Sequence, residues 1–215
     1  MLPSKTESDS ADMCLRVLAV VAVLYQPVTV TNLVVLTKQL ARLASDLGSV
    51  RKIISLCGSF LTLRDDTVYF VHQSAKDFLV TKALNKVFPA GTDCVHQDIF
   101  AKSLTVLHKT LHRDVYNLRA PGYPIGDVRP PLPNPLAVSR YACVYWIDHF
   151  CDSKCNSLAD SATNQEDIQT VDAFLRQKYL YWLEALSLCS STARGIVSMT
   201  RLWHLVQVQP TRLST

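Results

Sequence analysis

The sequence lacks the glycine-lysine pair that ends a phosphate-binding P-loop. Such a loop needs glycines followed by lysine and serine or threonine, because its backbone N–H groups surround the phosphates. Gly122 and Gly126 lie close together, but they stand in a proline-rich stretch with no lysine directly after it. The Gly-x-Ser-x-Gly motif of hydrolytic nucleophiles is also missing. We therefore expect no autonomous hydrolysis of ATP or GTP, no cofactor and no enzymatic activity.

The sequence also has only a mild excess of charge and no long apolar run. The formal net charge of +4 at pH 7 is well below the basic excess that is typical of nucleic-acid-binding proteins. Residues 17–25 form the most apolar run, which is too short to span a bilayer. Residues 1–10 lack the basic start and apolar block of a signal peptide. The seven cysteines show no pairing pattern, which favours a reducing compartment, so we expect a cytoplasmic protein.

Apolar residues at helical spacing predict three helices in the first sixty residues. A polar lead-in over residues 1–10 precedes the first helix, which covers residues 11–24. Thr29 or Thr31 caps the second helix, because a hydroxyl oxygen can accept a hydrogen bond from a free backbone N–H. The third helix follows Gly48.

A change of period then predicts a β-hairpin. Residues 60–64 and 67–71 are short and rich in β-forming side chains, with Asp-Asp at 65–66 as the turn. Residues 74–77 (Ser-Ala-Lys-Asp) form a capping box that opens another helix. Three helices followed by a hairpin are the plan of a winged-helix domain, a variant of helix-turn-helix. We predict such a domain, with a two-stranded β wing, over residues 1–90.

The second half is predicted to be an all-helical domain over residues 91–215. One helix covers residues 95–118, and the proline- and glycine-rich residues 120–135 connect it to the next. Asn134 opens that next helix as its N-cap, with proline at the first helical position. A polar loop over residues 152–164 precedes two further helices. The predicted fold class is mainly α, a winged-helix domain followed by an all-helical domain.

Several histidine, cysteine and aspartate side chains invite comparison with a metal or base site. The candidates are His149, Cys151 and Cys155; His108 and His112; and Asp93, His96 and Asp98. The first set lacks the second ligand pair that a structural zinc site uses. The second set lies one helical turn apart, but no glutamate follows His108 and the third ligand is unassigned. We expect ordinary polar helix faces at these positions and no metal.

DNA binding is the standard alternative for a winged helix. The third helix would contact DNA through Arg51, Lys52 and Ser55, which requires a positive face along this helix. Asp65 and Asp66 at the predicted wing tip would face phosphates unfavourably. The sequence therefore favours a helix that packs against protein and exposes its charged side to solvent.

Four stretches resemble the region that follows the NACHT NTPase domain in fungal STAND proteins. They are CLRVLAVVAVLYQPVTVTNL at 14–33, LCGSFLTLRDDTVYFVHQSAKDFL at 56–79, LHRDVYNL at 111–118 and NPLAVSRYACVYWIDHF at 134–150. This family includes the heterokaryon (vegetative) incompatibility proteins and their NACHT–WD-repeat or ankyrin relatives. The segment VYFVHQSAKDFL carries the most specific part of the resemblance.

The resemblance implies a role for His72, which lies between the hairpin and the following helix. In this family the corresponding histidine contacts the β-phosphate of ADP held by the NTPase domain. An imidazole N–H can donate a charge-assisted hydrogen bond to phosphate, and a helix N-terminus favours an anion. We therefore expect His72 to be exposed at the edge of an apolar docking surface. The alternative is that His72 merely caps or packs at the end of the strand.

The chain departs from the resembled family at Gln26, where arginine is usual, and at Asn32, where an acidic residue is usual; the NACHT core is missing as well. The resemblance implies a regulatory, non-catalytic module of a STAND-type NTPase, acting in fungal non-self recognition or cell death. Its expected partners are a NACHT core in cis or trans, which alone would hold ADP or ATP, and further copies of itself, but no nucleic acid or membrane. The alternatives are a DNA-binding winged-helix regulator and a truncated fragment with a bare, poorly soluble apolar surface.

Overall fold

A computed structural model of the chain describes residues 5–119, 122–154 and 161–208. The described part of the chain is mainly helical and has one small sheet, which confirms the predicted fold class at this level. The chain forms two compact units, Met1–Lys102 and Ser103–Thr215. The division lies inside a helix, and the predicted domain boundary near residue 90 precedes that helix. Among the described residues, no helix combines the length and the apolar character needed to cross a membrane.

The first unit contains most of the short elements. In chain order its elements are α1 (Lys5–Val23), β1 (Val28–Thr29), α2 (Val30–Leu36), a 3-10 turn (Leu40–Leu43), α3 (Leu47–Leu56), β2 (Leu61–Arg64), β3 (Thr67–Phe70), α4 (Gln73–Thr81) and α5 (Leu84–Val87), followed by α6 (Thr92–Thr110), which continues into the second unit. Its core is aliphatic, with Val17, Leu33, Val50 and Ile54 buried. Burial of these side chains removes apolar surface from water and is the main stabilising contribution here.

The helix starts in the first unit follow local capping chemistry. The first helix begins at Lys5, six residues before the predicted start, so the polar lead-in is partly helical. The Thr29 hydroxyl accepts from the backbone N–H of Asn32 at 3.2 Å and caps α2, which confirms Thr29 over Thr31. The third helix begins before Gly48, because the Asp46 carboxylate accepts from the backbone N–H of Ser49 at 3.1 Å.

The sheet has three antiparallel strands in the order β1-β3-β2, so the predicted two-stranded wing was incomplete. Val28 pairs with Val68, and Leu61 pairs with Phe70. The extra strand, β1, is only two residues long, and periodicity cannot reveal so short an element. Asp65-Asp66 forms the hairpin turn as predicted, with φ of 46° and 61°. These left-handed values suit a two-residue turn of type I′.

The second unit is built from α7 (Arg140–Lys154), α8 (Ser161–Leu188) and α9 (Thr192–Val208), together with the C-terminal part of α6. Its core is aromatic. The Trp146 and Trp182 ring centroids lie 5.8 Å apart at an edge-to-face angle of 75°, and Phe174 lies 5.0 Å from Trp146. Edge-to-face contacts of this kind add to the stabilisation from buried area.

The helix predicted to reach residue 118 ends at Thr110. Beyond it the chain turns because α8 binds the backbone. The Lys178 ammonium donates to the Leu111 carbonyl at 2.7 Å, and the Glu184 carboxylate accepts from the backbone N–H groups of Asp114 and Val115 at 3.2 and 3.0 Å. Residues from another helix therefore override the apolar spacing that predicted a longer α6.

The helix predicted to open at Asn134 begins at Arg140 instead. The Asn134 carboxamide oxygen does accept from the backbone N–H of Leu136, at 2.9 Å, but it also accepts from the Tyr116 hydroxyl at 3.0 Å. What it caps is a series of turns rather than a helix. The polar loop predicted for residues 152–164 is also too long, because α7 continues to Lys154 and α8 starts at Ser161; the rest of that loop lies outside the described residues.

Candidate functional site

His72 is exposed and joins β3 to α4. Its backbone is extended, with φ of −150° and ψ of 150°. Its ring Nδ1 accepts from the backbone N–H of Ser74 at 3.2 Å and lies 2.8 Å from the Ser74 hydroxyl. His72 is therefore the N-cap of α4. The predicted capping box over residues 74–77 was wrong, because the helix already begins at Gln73 and an imidazole takes the place of the capping hydroxyl.

The capping hydrogen bond determines which ring nitrogen of His72 carries the proton. A neutral imidazole has one N–H and one acceptor nitrogen. Because Nδ1 accepts from the backbone of Ser74, the proton of the neutral ring is on Nε2. The ring thus presents a donor N–H at the exposed N-terminus of a nine-residue helix, whose dipole favours an approaching anion.

Apolar side chains are exposed close to His72. Val71 is exposed, and its backbone N–H donates to the Phe60 carbonyl at 2.8 Å. The rings of Phe60 and Phe78 are stacked with centroids 6.2 Å apart. Leu56 is exposed, and it lines with Phe60 an open groove of about 440 Å³. We call Leu56, Phe60, Val71 and Phe78 the apolar face. His72 is thus exposed beside an apolar surface, as the resemblance led us to expect, while its contact with phosphate stays a prediction.

Lys76 lies one helical turn after His72 and lines a second cavity, of about 290 Å³, together with Gln26. Its ammonium donates to the Leu24 carbonyl at 3.2 Å. Burial lowers the pKa of Lys76, and the nearby Asp77 carboxylate opposes this effect. Gln26 is one of the two positions at which the chain departs from the resembled family, and the cavity that it lines therefore holds a cationic side chain from α4. Asn32 is the other such position. Its side-chain amide donates to the Thr29 hydroxyl at 2.8 Å and supports the cap of α2.

The first candidate metal set is a packed part of the second unit. His149 is fully buried, and its Nε2 is hydrogen-bonded to the Tyr141 hydroxyl at 2.8 Å. Cys151 is buried, and Cys155 lies outside the described residues. In the described part of the chain, no group of three or more histidine, cysteine or acidic side chains is placed to hold a metal ion.

The other candidate histidines have separate neighbours. His108 packs edge-on against Phe174, with ring centroids 5.2 Å apart. His112 is exposed, and its Nδ1 lies 3.0 Å from the carbonyl of the next residue. His96 lies beside the Tyr25 ring, with centroids 6.3 Å apart. These contacts describe packing and local hydrogen bonds.

The basic face of α3 is partly neutralised. The Arg51 guanidinium donates to the Asp66 carboxylate at 2.7 and 2.9 Å. The Ser55 hydroxyl donates to the Arg51 carbonyl at 2.9 Å. Two of the three residues proposed for DNA contact are thus engaged within the domain, one of them with the acidic hairpin turn.

One polar cluster in the second unit escaped the sequence analysis. The buried Asp148 carboxylate meets Arg194, Ser198 and Arg201 of α9. These partners recur at steps of three and four residues, so helical spacing could have suggested a common face, but nothing pointed to Asp148 as their partner.

The fold places the chain among mainly helical proteins with one small antiparallel sheet. The sequence is similar to that of the vegetative incompatibility protein HET-E-1 of Podospora anserina, with 42% identity over 96% of this chain. The chain spans only 16% of the length of that protein. No protein-family model matches the chain. No solved structure matches it either.

Proposed function

We propose that the chain is a regulatory, non-catalytic module of a fungal STAND-type NTPase of the vegetative incompatibility kind. The similarity to the Podospora anserina protein over nearly the whole chain supports this assignment. Because the match covers 16% of that relative, its remaining length leaves ample room for an NTPase core. In this proposal the module holds no nucleotide alone and responds to the nucleotide that the core binds.

We further propose that the first unit is a winged-helix domain. Its elements follow the order α1-β1-α2-α3-β2-β3, and its sheet has the order β1-β3-β2. Helices that precede and support a small antiparallel sheet are the plan of that helix-turn-helix variant. The turn at Asp65-Asp66 then forms the tip of the wing, and His72 leaves the wing toward α4.

The observation that carries the proposal is that the exposed His72 uses its Nδ1 in the α4 cap, so that the neutral ring has its N–H on Nε2, and that the residue lies beside the apolar face. In the ADP-loaded state this N–H donates to the nucleotide's β-phosphate, and the apolar face packs on the NTPase core. Exchange of ADP for ATP changes the phosphate contacts and releases the module. The nucleotide thus shifts the population between docked and released states, because the module makes different contacts in the ADP-loaded and ATP-loaded states. Release exposes surfaces for association with further copies of the protein.

DNA binding is less well supported. A reader helix needs free positive charge along its exposed side. Here Arg51 is paired with Asp66 at the hairpin turn. In a DNA complex this turn would also direct an acidic group toward the DNA backbone. A domain that docks on protein has no such conflict, so we propose that the chain binds no nucleic acid.

Docking in trans tests the proposal. The NTPase core of the Podospora anserina relative would be loaded with ADP or with a non-hydrolysable ATP analogue and titrated with this chain by calorimetry. We expect binding to the ADP-loaded core and weaker binding to the ATP-loaded core. Equal affinity for both states, or no binding to either, would contradict the proposed nucleotide-dependent contact.

Two matched variants locate the contact. Phe78 is 48% exposed on the apolar face, and Tyr123 is 46% exposed in the second unit. We expect Phe78→Ser to weaken docking at least about tenfold, since aromatic anchors carry much of the energy of an interface, and Tyr123→Ser to leave it unchanged. Circular dichroism would show that both variants remain folded. An equal effect of both substitutions would remove the apolar face from the interface.

A further inference from the structure

A cavity of about 220 Å³ lies beside α1, within the first unit. It is lined by one side of α1, by the end of α2 and the residues that follow it, by the connection from α5 to α6 and by the first two turns of α6. Among the described residues, neither the apolar face nor Gln26 contributes to this lining. We call it the α1 cavity, and it is separate from the surroundings of His72.

The buried part of the lining is mostly apolar. Its buried apolar residues are Ala19, Val20, Leu36, Val87 and Phe88. An apolar cavity of about 150 Å³ is already large enough to bind benzene. The α1 cavity therefore has the volume for a molecule built on one ring, and binding such a ring removes apolar surface from water.

One polar side chain, Thr37, belongs to the buried lining. The residue is 1% exposed, and its hydroxyl oxygen Oγ1 has no hydrogen-bond partner in the described part of the chain. Its backbone carbonyl, by contrast, accepts from the backbone N–H of Ala41 at 3.1 Å. A buried hydroxyl without a partner is unfavourable, because its hydrogen bonds to water are lost and not replaced. A polar atom of a molecule bound in the cavity would supply the hydrogen bond that this hydroxyl lacks.

Charged side chains of both signs surround the exposed part of the cavity. Lys38, Lys86 and Asp98 line it and are exposed. The Arg16 guanidinium donates to the Asp12 carboxylate at 3.0 Å, so these two charges neutralise each other. A bound anion would approach Asp98, and a bound cation would approach the two lysines. The lining therefore favours a ligand without charge.

We propose that the α1 cavity binds a small uncharged organic molecule with an apolar body of about one ring and one hydroxyl group, of which a phenol is the simplest example. The ring packs on the buried aliphatic side chains and on Phe88, and the ligand hydroxyl forms a hydrogen bond with Thr37 Oγ1. An analogue without the hydroxyl leaves Thr37 unpaired and binds less well. This site does not depend on the proposed docking at His72.

Titration of the isotope-labelled full chain with phenol and with toluene, followed by NMR, tests the proposal. The two molecules have nearly the same shape, but only phenol carries a hydroxyl. We expect phenol to shift the backbone signals of residues 36–39 and 86–91 saturably, with no comparable shift at Leu56 and Phe60. Shifts centred on the groove beside Leu56, or no saturable binding of phenol at millimolar concentrations, would overturn the proposal.

The role of the hydroxyl is tested by Thr37→Val, which keeps the shape of the side chain. We expect the preference for phenol over toluene, measured as the ratio of their dissociation constants, to fall about three- to tenfold, because one hydrogen bond is lost. Thr62→Val on β2 is the same change outside the cavity and should leave the ratio unchanged. An unchanged ratio in Thr37→Val would show that Thr37 does not contact the ligand and would refute the proposed site.

Thermal unfolding of the same variants, followed by circular dichroism, gives an independent check. Without ligand, Thr37→Val should keep or raise the unfolding midpoint, because it removes a buried hydroxyl that makes no hydrogen bond. Phenol should raise the midpoint of the unsubstituted chain and of Thr62→Val more than that of Thr37→Val, since a ligand that binds the folded state stabilises it. A clear decrease of the midpoint in ligand-free Thr37→Val would mean that the hydroxyl is already hydrogen-bonded within the domain, which contradicts the proposal.

Discussion

The buried carboxylate of Asp148 offers a quantitative test of how α7 and α9 are held together. Its side chain is 2% exposed. It accepts from the Arg194 guanidinium at 3.0 Å, from the Ser198 hydroxyl at 2.9 Å and from the Arg201 guanidinium at 3.4 Å. Asp148→Ala removes all three hydrogen bonds and leaves their donors facing a small cavity.

The expected loss follows from the exposure of the three partners. Ser198 is fully buried, so its hydroxyl loses its partner without gaining water, which costs about 1–3 kcal/mol. The two arginine side chains are 41% and 38% exposed and can turn to solvent. They therefore do not remain as unpaired buried charges, and the larger cost of such charges does not apply. We therefore expect Asp148→Ala to lower the free energy of unfolding of the second unit by about 2–3 kcal/mol.

Urea unfolding followed by tryptophan fluorescence measures this loss. All three tryptophans, Trp146, Trp182 and Trp203, belong to the second unit, so the signal reports on that unit. The control is Asp172→Ala, which removes an exposed ion pair with Arg176 on α8 and is expected to have little effect. If the two substitutions shift the midpoint equally, Asp148 does not organise the packing of α7 against α9.

Two further predictions concern helix chemistry. Gly195→Ala should destabilise the second unit by about 1 kcal/mol: alanine favours a helix, but its methyl group would overlap the buried Leu186 side chain. A gain in fluorescence-monitored stability would contradict this. His72→Ala should destabilise the first unit by about 1 kcal/mol through loss of the α4 cap, whereas His72→Asn keeps an accepting oxygen and should cost much less. Equal losses in thermal unfolding followed by circular dichroism would show that the cap is unimportant.

Local sequence rules predicted the structure correctly where residues close in sequence determine the backbone hydrogen bonds and angles. Thr29 caps α2 through a bond to a residue only three positions away. Asp65 and Asp66 form the hairpin turn because short acidic side chains tolerate left-handed backbone angles. The strand-to-helix position of His72 follows from the same kind of local pattern, so its exposure could be anticipated from the sequence.

The same rules failed where residues far away in the sequence supply the hydrogen-bond partners. Helix α6 ends early because Lys178 and Glu184 bind the backbone that would have continued it. Asn134 has the chemistry of a helix cap, yet its oxygen is shared with the Tyr116 hydroxyl. The start of α4 was assigned to a capping box at Ser74, and a cap at His72 was only the alternative, because an imidazole is not among the usual capping side chains and the serine two residues later fits the expected motif better.

The release rate of ADP tests the role of His72 most directly. In a chimera this chain would replace the matching segment of the Podospora anserina protein, and the dissociation of bound ADP would be followed by exchange with a fluorescent analogue. His72→Asn keeps the α4 cap but removes the Nε2–H. Loss of a hydrogen bond to a charged group, about 1.5–3 kcal/mol, predicts release that is about 10- to 100-fold faster. Release at the unsubstituted rate would contradict a contact between His72 and the phosphate.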